Sequence, residues 1–109
     1  FINKRLVDAA AQHAIVVRLK GGDPMLFGRA QEELDALDAA GIAYEVVPGI
    51  TAALGAASDL GLSLTRRGLA RNVAFVTPRV GEAESPSDWA AVALAADTAA
   101  LYMGVGEAE

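Results

Sequence analysis

Val16-Val17-Arg18-Leu19-Lys20-Gly21-Gly22-Asp23-Pro24-Met25-Leu26-Phe27-Gly28-Arg29 is the stretch that decides the fold. An apolar, β-branched run ends in Gly-Gly-Asp-Pro, and a helical pattern follows at once. Pro24 suits the first turn of a helix, where an N–H would have no partner to lose. Asp23 then stands at the N-cap. Gly21 and Gly22 carry no Cβ, so a ligand can approach their main chain and positive φ is open to them. This order puts bare N–H groups, a carboxylate and a helix N-terminus at the C-terminal end of a strand, where open α/β sheets hold ligands. Val46-Val47-Pro48-Gly49-Ile50-Thr51-Ala52 repeats the pattern of strand, turn and helix.

Working outward, the 3.6-residue spacing of Ile2, Leu6, Ala9 and Ala10 predicts a helix over 1–13. A strand is expected over 14–19. The next helix starts at Pro24, buries Leu26, Ala30, Leu34 and Leu37, and ends at Gly41 as a C′ glycine. Then follow a strand over 43–47, a small-residue helix over 50–60 closed by Gly61, and a strand over 73–77. A loop over 81–87 leads to a helix capped by Ser87 or Asp88 and running to Ala96. A strand over 99–103 comes next, and 104–109 could begin another helix. Strands alternating with helices predict the α/β class, with a largely parallel sheet covered on both faces. Residues 61–72 show no amphipathic period and read as a linker between a unit over 1–60 and a unit over 73–109.

Composition narrows the function. The chain has 109 residues and is 53% hydrophobic, which fits a packed core rather than disorder. There is no cysteine, so disulfides and thiolate metal sites are excluded, and a single histidine, His13, argues against a transition-metal centre. No apolar run approaches the roughly 18 residues of a membrane span, and no signal-peptide pattern opens the chain; a cytoplasmic location is the default. A net charge of −5 argues against nucleic acid as a partner. Yet no acidic residue lies between Asp59 and Glu82, where Arg66, Arg67, Arg71 and Arg79 fall. Two readings stand for that segment: a solvated arginine-rich loop, or the seat of one anionic ligand.

The other motifs keep two readings as well. No Gly-Lys-Ser/Thr follows the glycines, so this is not a P-loop, and the Gly-x-Gly-x-x-Gly dinucleotide fingerprint is absent. Gly-Gly-Asp-Pro serves equally as an ordinary strand-to-helix turn. Thr51 caps its helix or turns its hydroxyl toward a ligand beside Asp23. Met103, after Tyr102 at a strand end, packs in the core or lies along an adenine ring. Trp89 anchors its helix to the sheet. Glu32, Glu33, Asp35 and Asp38 read as a solvated helix face. No Ser-His-Asp or paired-carboxylate arrangement stands out.

Taken in order, these motifs carry a resemblance. Val16 to Pro24, Phe27-Gly28-Arg29 with Glu32-Glu33, Tyr44 to Ala52, Leu64-Thr65-x-Arg67-Gly68 and Tyr102-Met103-Gly104-Val105 are similar to the tetrapyrrole methylase family. Within it, they are most similar to the branch that C-methylates uroporphyrinogen III. The likeness covers essentially the whole chain. It implies a fold of two α/β domains, distinct from the Rossmann-like methyltransferases, with S-adenosylmethionine between them. It implies methyl transfer to C2 and C7 of uroporphyrinogen III, giving precorrin-2 for sirohaem or cobalamin. Carried over, Gly21, Gly22, Asp23, Leu26, Thr51, Ala52 and Met103 would hold the cofactor, which leaves as S-adenosylhomocysteine. Arg18, Lys20, Arg66, Arg67 and Arg71 would meet the substrate's carboxylates.

The sequence departs from the family pattern in places. The opening strand with Gly-Pro-Gly-Asp-Pro, the expected proton-handling Asp and Lys, and the last third of the fold are absent. Arg66 stands where His is usual, and Thr77-Pro78-Arg79 where Thr-Gly-His is usual. The chain is therefore expected to be a central fragment, inactive alone, that forms a homodimer or exchanges elements with a second copy. The alternatives are another branch of the superfamily (a cobalamin precorrin, diphthine or ribosomal-RNA methylase) or a degenerate, non-catalytic binding module.

Overall fold

The structure is a computed structural model that describes residues 1–79, 85 and 87–105. The expected loop over 81–87 and the expected final helix over 104–109 lie largely outside the described residues. The chain divides into two compact units, Phe1–Gly55 and Ala56–Glu109.

The first unit opens with α1, Ile2–Gln12, as the periodicity predicts. Its half-buried Leu6, Val7 and Ala10 form the apolar stripe of a helix that packs against α2, Ala30–Ala39. α2 ends as the sequence expects. Gly41 takes φ +69° and donates to the Asp38 carbonyl, and Ile42 donates to the Leu37 carbonyl. This is a Schellman motif, in which the glycine satisfies carbonyls that the helix leaves unpaired. α3, Ala52–Leu60, spans the division between the units and ends in the same way at Gly61, with Leu62 donating to the Ala57 carbonyl.

Two expectations fail in this unit. The helix after Pro24 does not begin there: residues 24–28 form turns, and α2 starts only at Ala30. Phe27 and Arg29 hold φ of +50° and +54°, a left-handed conformation that no helix continues through. The segments 14–19 and 43–47 form no strand either. They form no ladder, and both line a groove of about 730 Å³, with Val16, Val17, Leu19, Val46 and Val47 among its walls. A β-branched sequence favours extension, but a strand exists only where a neighbouring backbone takes its N–H and C=O groups. Ile15, Val17, Leu19 and Val47 are therefore exposed.

The second unit does build its ladder. β1, Val73–Val76, and β2, Thr98–Leu101, pair in parallel with Val73 opposite Thr98 and Val76 opposite Leu101. α4, Trp89–Ala95, crosses between them and packs on both strands, giving one βαβ unit. The expected parallel sheet is thus a single two-stranded pair among the described residues. Val76 is the one buried hydrophobic side chain among those residues. Phe75 and Tyr102 stack at 5.9 Å in a tilted arrangement. The arginine-rich stretch is tied to the same unit. Thr98 Oγ1 donates to the Leu64 carbonyl (2.8 Å), and the Arg71 N–H donates to Asp97 Oδ2 (2.8 Å). Among the described residues, no helix is long and apolar enough to cross a membrane.

Candidate functional site

The first unit brings the two glycine turns together. Asp23 does this with both carboxylate oxygens: Oδ1 accepts the Met25 N–H at 2.8 Å, and Oδ2 accepts the Gly49 N–H at 3.2 Å. The first bond is a local Asx-type turn, which replaces the N-cap role expected of Asp23. The second joins turns 26 residues apart in sequence. A carboxylate offers about four acceptor positions, so two hydrogen bonds leave Asp23 able to accept from a ligand hydroxyl or amino group.

Glycine is needed where the turns meet. A Cβ on Gly49 would collide with the carbonyl oxygen of Gly22. Gly22 itself takes φ +67°, and a Cβ there would lie 3.7 Å from both the Ile50 carbonyl oxygen and Thr51 Cα. Gly21 is different: a Cβ there would meet nothing within 4 Å, so its main chain borders open space. Thr51 is buried, at 8% exposure, while Ala52, which opens α3, is exposed. Leu26 is half-buried beside the first turn. Gly21, Gly22, Asp23, Thr51 and Ala52 thus form one surface of the first unit. A polar ligand fits this set: it has an open main chain, a carboxylate with acceptors to spare, and a neighbouring helix N-terminus.

Met103 belongs to the second unit, where it follows β2 with φ +54° and its sulfur accepts from Arg79 Nη1 at 3.9 Å. A positive φ at a non-glycine residue is a local strain of the kind that gathers at functional positions.

The expected anion-binding residues fall into two groups. Arg18 and Lys20 are turned onto Glu33: Arg18 Nε lies 2.9 Å from Oε1, and Lys20 Nζ lies 2.9 Å from Oε2. The Lys20 side chain is only 10% exposed. By contrast, Arg66, Arg67 and Arg71 are exposed, and among the described residues no carboxylate pairs with them. Arg66 and Ala70 exchange backbone hydrogen bonds of 2.9 and 2.8 Å, which puts Arg67 and Gly68, at φ +78°, on the tip of a tight turn.

Glu33 is the residue that the sequence misplaces. It is buried rather than on a solvated face. Burial pushes its carboxyl up, but hydrogen bonds from Lys20 and Arg18, together with their charges, outweigh this and hold it below its ordinary value of 4.5. A signal was available: Glu33 lies three residues after Ala30 and four before Leu37, so it shares the stripe of α2 that faces inward. His13 sits just past the end of α1 in an extended conformation, with φ −127°.

The model of the tetrapyrrole (corrin/porphyrin) methylase family matches residues 1–109. The siroheme synthase 1 of Cronobacter sakazakii is 48% identical over 106 residues, which are 97% of this chain and 22% of that protein. The siroheme synthase of Edwardsiella ictaluri is 50% identical over 98% of this chain and 23% of its own length. The crystal structure of uroporphyrin-III C-methyl transferase from Thermus thermophilus, complexed with S-adenyl homocysteine, superposes with a TM-score of 0.83 at 44% identity. That match covers 97% of this chain and 46% of the other. The chain therefore spans about a quarter of the siroheme synthases and under half of the transferase.

Proposed function

Because the chain belongs to the tetrapyrrole (corrin/porphyrin) methylase family, we propose that it supplies one wall of an S-adenosylmethionine-dependent C-methyltransferase. Its proposed substrate is uroporphyrinogen III, methylated at C2 and C7 to give precorrin-2. The observation that carries this reading is the junction of the two glycine turns through Asp23 and Gly49. It gathers Gly21, Gly22, Asp23, Thr51 and Ala52 into a single polar surface with open main chain at Gly21. The transferase bound to S-adenyl homocysteine, 44% identical over nearly the whole chain, supports that choice of ligand.

When bound, the cofactor supplies a methyl group already activated by the sulfonium charge. The chain's own task is to hold and orient it, since aligning two reacting centres is the larger part of such a transfer. Gly21 and Gly22 let the ligand reach the main chain. Asp23 accepts from its amino or hydroxyl groups. Thr51 and Ala52 bound the same pocket at the start of α3, with Leu26 beside it, and Met103 is the residue proposed for the adenosine. Arg66, Arg67 and Arg71 meet substrate carboxylates, because their guanidiniums are exposed and free of carboxylate partners among the described residues. Arg18, 38% exposed at its side chain, keeps room for a secondary contact. In the proposed assembly residues 1–60 end a first domain, 61–72 link, and 73–109 begin a second; the working form is a homodimer.

Calorimetry with S-adenosylhomocysteine on the full-length gene product tests this. Binding that is lost in Asp23→Ala, together with formation of precorrin-2 from uroporphyrinogen III, is the expected result. Unchanged affinity in that variant overturns the cofactor assignment, and turnover of a different acceptor overturns the substrate.

A further inference from the structure

We propose that Glu33 is a positioning residue. Through Lys20, it latches the loop that carries Gly21, Gly22 and Asp23. The inference rests on the reading of that loop as a cofactor loop and assigns it a control that the motif itself does not contain.

Within the loop between residues 20 and 29, the Leu26 N–H donates to the Asp23 carbonyl at 3.3 Å and the Met25 N–H to Asp23 Oδ1 at 2.8 Å. Gly22, Phe27 and Arg29 all take left-handed φ, and two of these are not glycines. Such a backbone keeps its shape only where its surroundings fix it. At the front of the loop, Asp23 does this through Gly49. At the back, the Lys20 ammonium reaches across the loop's base and donates to the Gly28 carbonyl. Residue 20 enters the loop and residue 28 leaves it, so this single bond closes the loop as a ring.

Gly28 is shaped for that contact. A Cβ at position 28 would lie 3.1 Å from Lys20 Cε and Nζ and 3.2 Å from the Pro24 carbonyl oxygen. The lysine thus fills the space that a side chain at 28 would need. An ammonium so little exposed requires a counter-charge. Glu33, on the first turns of α2, provides it at 2.9 Å, and its other oxygen takes Arg18. Without the Glu33 charge, the Lys20 ammonium is better solvated outside, and leaving its place releases Gly28. Lys20 therefore acts on the loop rather than on the substrate's carboxylates.

The test is made on the full-length gene product, with S-adenosylhomocysteine affinity by calorimetry and folding stability by urea titration. Glu33→Gln keeps the shape and removes the charge; it is expected to weaken binding about tenfold, the scale at which an outer hydrogen-bonding partner supports a bound ligand. Lys20→Met combined with Glu33→Leu removes both charges, so its urea midpoint is expected to return to that of wild type while affinity stays about tenfold weaker. Affinity that recovers along with stability in the double variant would falsify the latch, since Glu33 would then be only a structural group. Asp23→Ala separates the two ideas. If it binds like wild type, the cofactor reading falls and the latch with it. If it loses binding while the double variant binds normally, only the latch falls.

Discussion

The two units solve the same problem in opposite ways. Phe1–Gly55 holds two β-branched runs that make no ladder, and its buried side chains among the described residues are Glu33 and Thr51. Ala56–Glu109 holds the runs Val73–Val76 and Thr98–Leu101, which pair in parallel, and its buried side chain among the described residues is Val76. The first unit is fixed by charge and by glycine fit, the second by a ladder with a helix across it. The difference teaches that apolar, β-branched sequence does not make a strand by itself. A strand needs a neighbouring backbone at about 4.8 Å, and the runs over 14–19 and 43–47, which both line the groove, make no ladder with one.

The comparison is broken most severely at Glu33. In Glu33→Leu the Lys20 ammonium loses its counter-charge, so it is either stranded or drawn out to solvent with the loop it holds, and the expected loss of stability is up to about 3–5 kcal/mol, read by urea titration of the full-length gene product. Hydrogen exchange should rise in the peptides of 15–40 and stay unchanged in those of 73–79 and 95–101. Uniform change across both would erase the distinction between a charge-held and a ladder-held unit. The pH dependence has a definite sign. Because the Glu33 carboxyl is held below its ordinary value of 4.5, its contribution is complete above that value and disappears as pH falls through the lowered native value. The stability gap between wild type and Glu33→Gln should close on acidification.

Gly49→Ala probes the other device of the first unit. The new methyl group meets the Gly22 carbonyl, so the turns must separate, at a cost of about 1–3 kcal/mol. Calorimetry should also show S-adenosylhomocysteine binding lost, because the Asp23–Gly49 bond is strained at the same time. Wild-type affinity in this variant would mean that the turns are independent. In the second unit, Val76→Ala removes two buried carbon groups and should cost about 1.5 kcal/mol. Its hydrogen-exchange change should be confined to β1, β2 and α4. The smallest effect is expected at Lys4, whose partner Asp8 is four residues on and whose side chain is 82% exposed. The urea midpoint of Lys4→Ala should match wild type, as solvent screens such a pair.

Local rules made part of this legible in the sequence. α1 follows from its 3.6-residue period, β1 ends one residue short of the expected 73–77, β2 lies at 98–101 rather than the expected 99–103, and Gly41 and Gly61 end their helices where a C′ glycine belongs. Gly21, Gly22 and Asp23 can be proposed from sequence because absent side chains and a turn carboxylate are visible in any sequence. What was missed depends on contacts distant in the chain. Pro24 is a good first helical residue locally, yet Lys20 on the Gly28 carbonyl and the left-handed Phe27 and Arg29 hold the chain in turns until Ala30. Glu33 resembles its acidic neighbours in residue type; its place on the stripe of Ala30 and Leu37 sets it apart, but the two cations that make its burial tolerable lie fifteen and thirteen residues away. Arg18 and Lys20 looked like Arg66 and Arg67 for the same reason.

Trp89 has an optical consequence. It is the chain's only tryptophan, and it opens α4 in the second unit. Excited at the red edge, where tyrosine is silent, this polypeptide emits from the ladder-held half alone. The glycine turns contribute nothing to that signal, so a fluorescence trace can stay native while the first unit has already lost its order. Far-ultraviolet dichroism reports every helix, and α1 and α2 of the first unit supply the larger share of it among the described residues. Recorded on one sample, the two signals form a built-in pair of reporters.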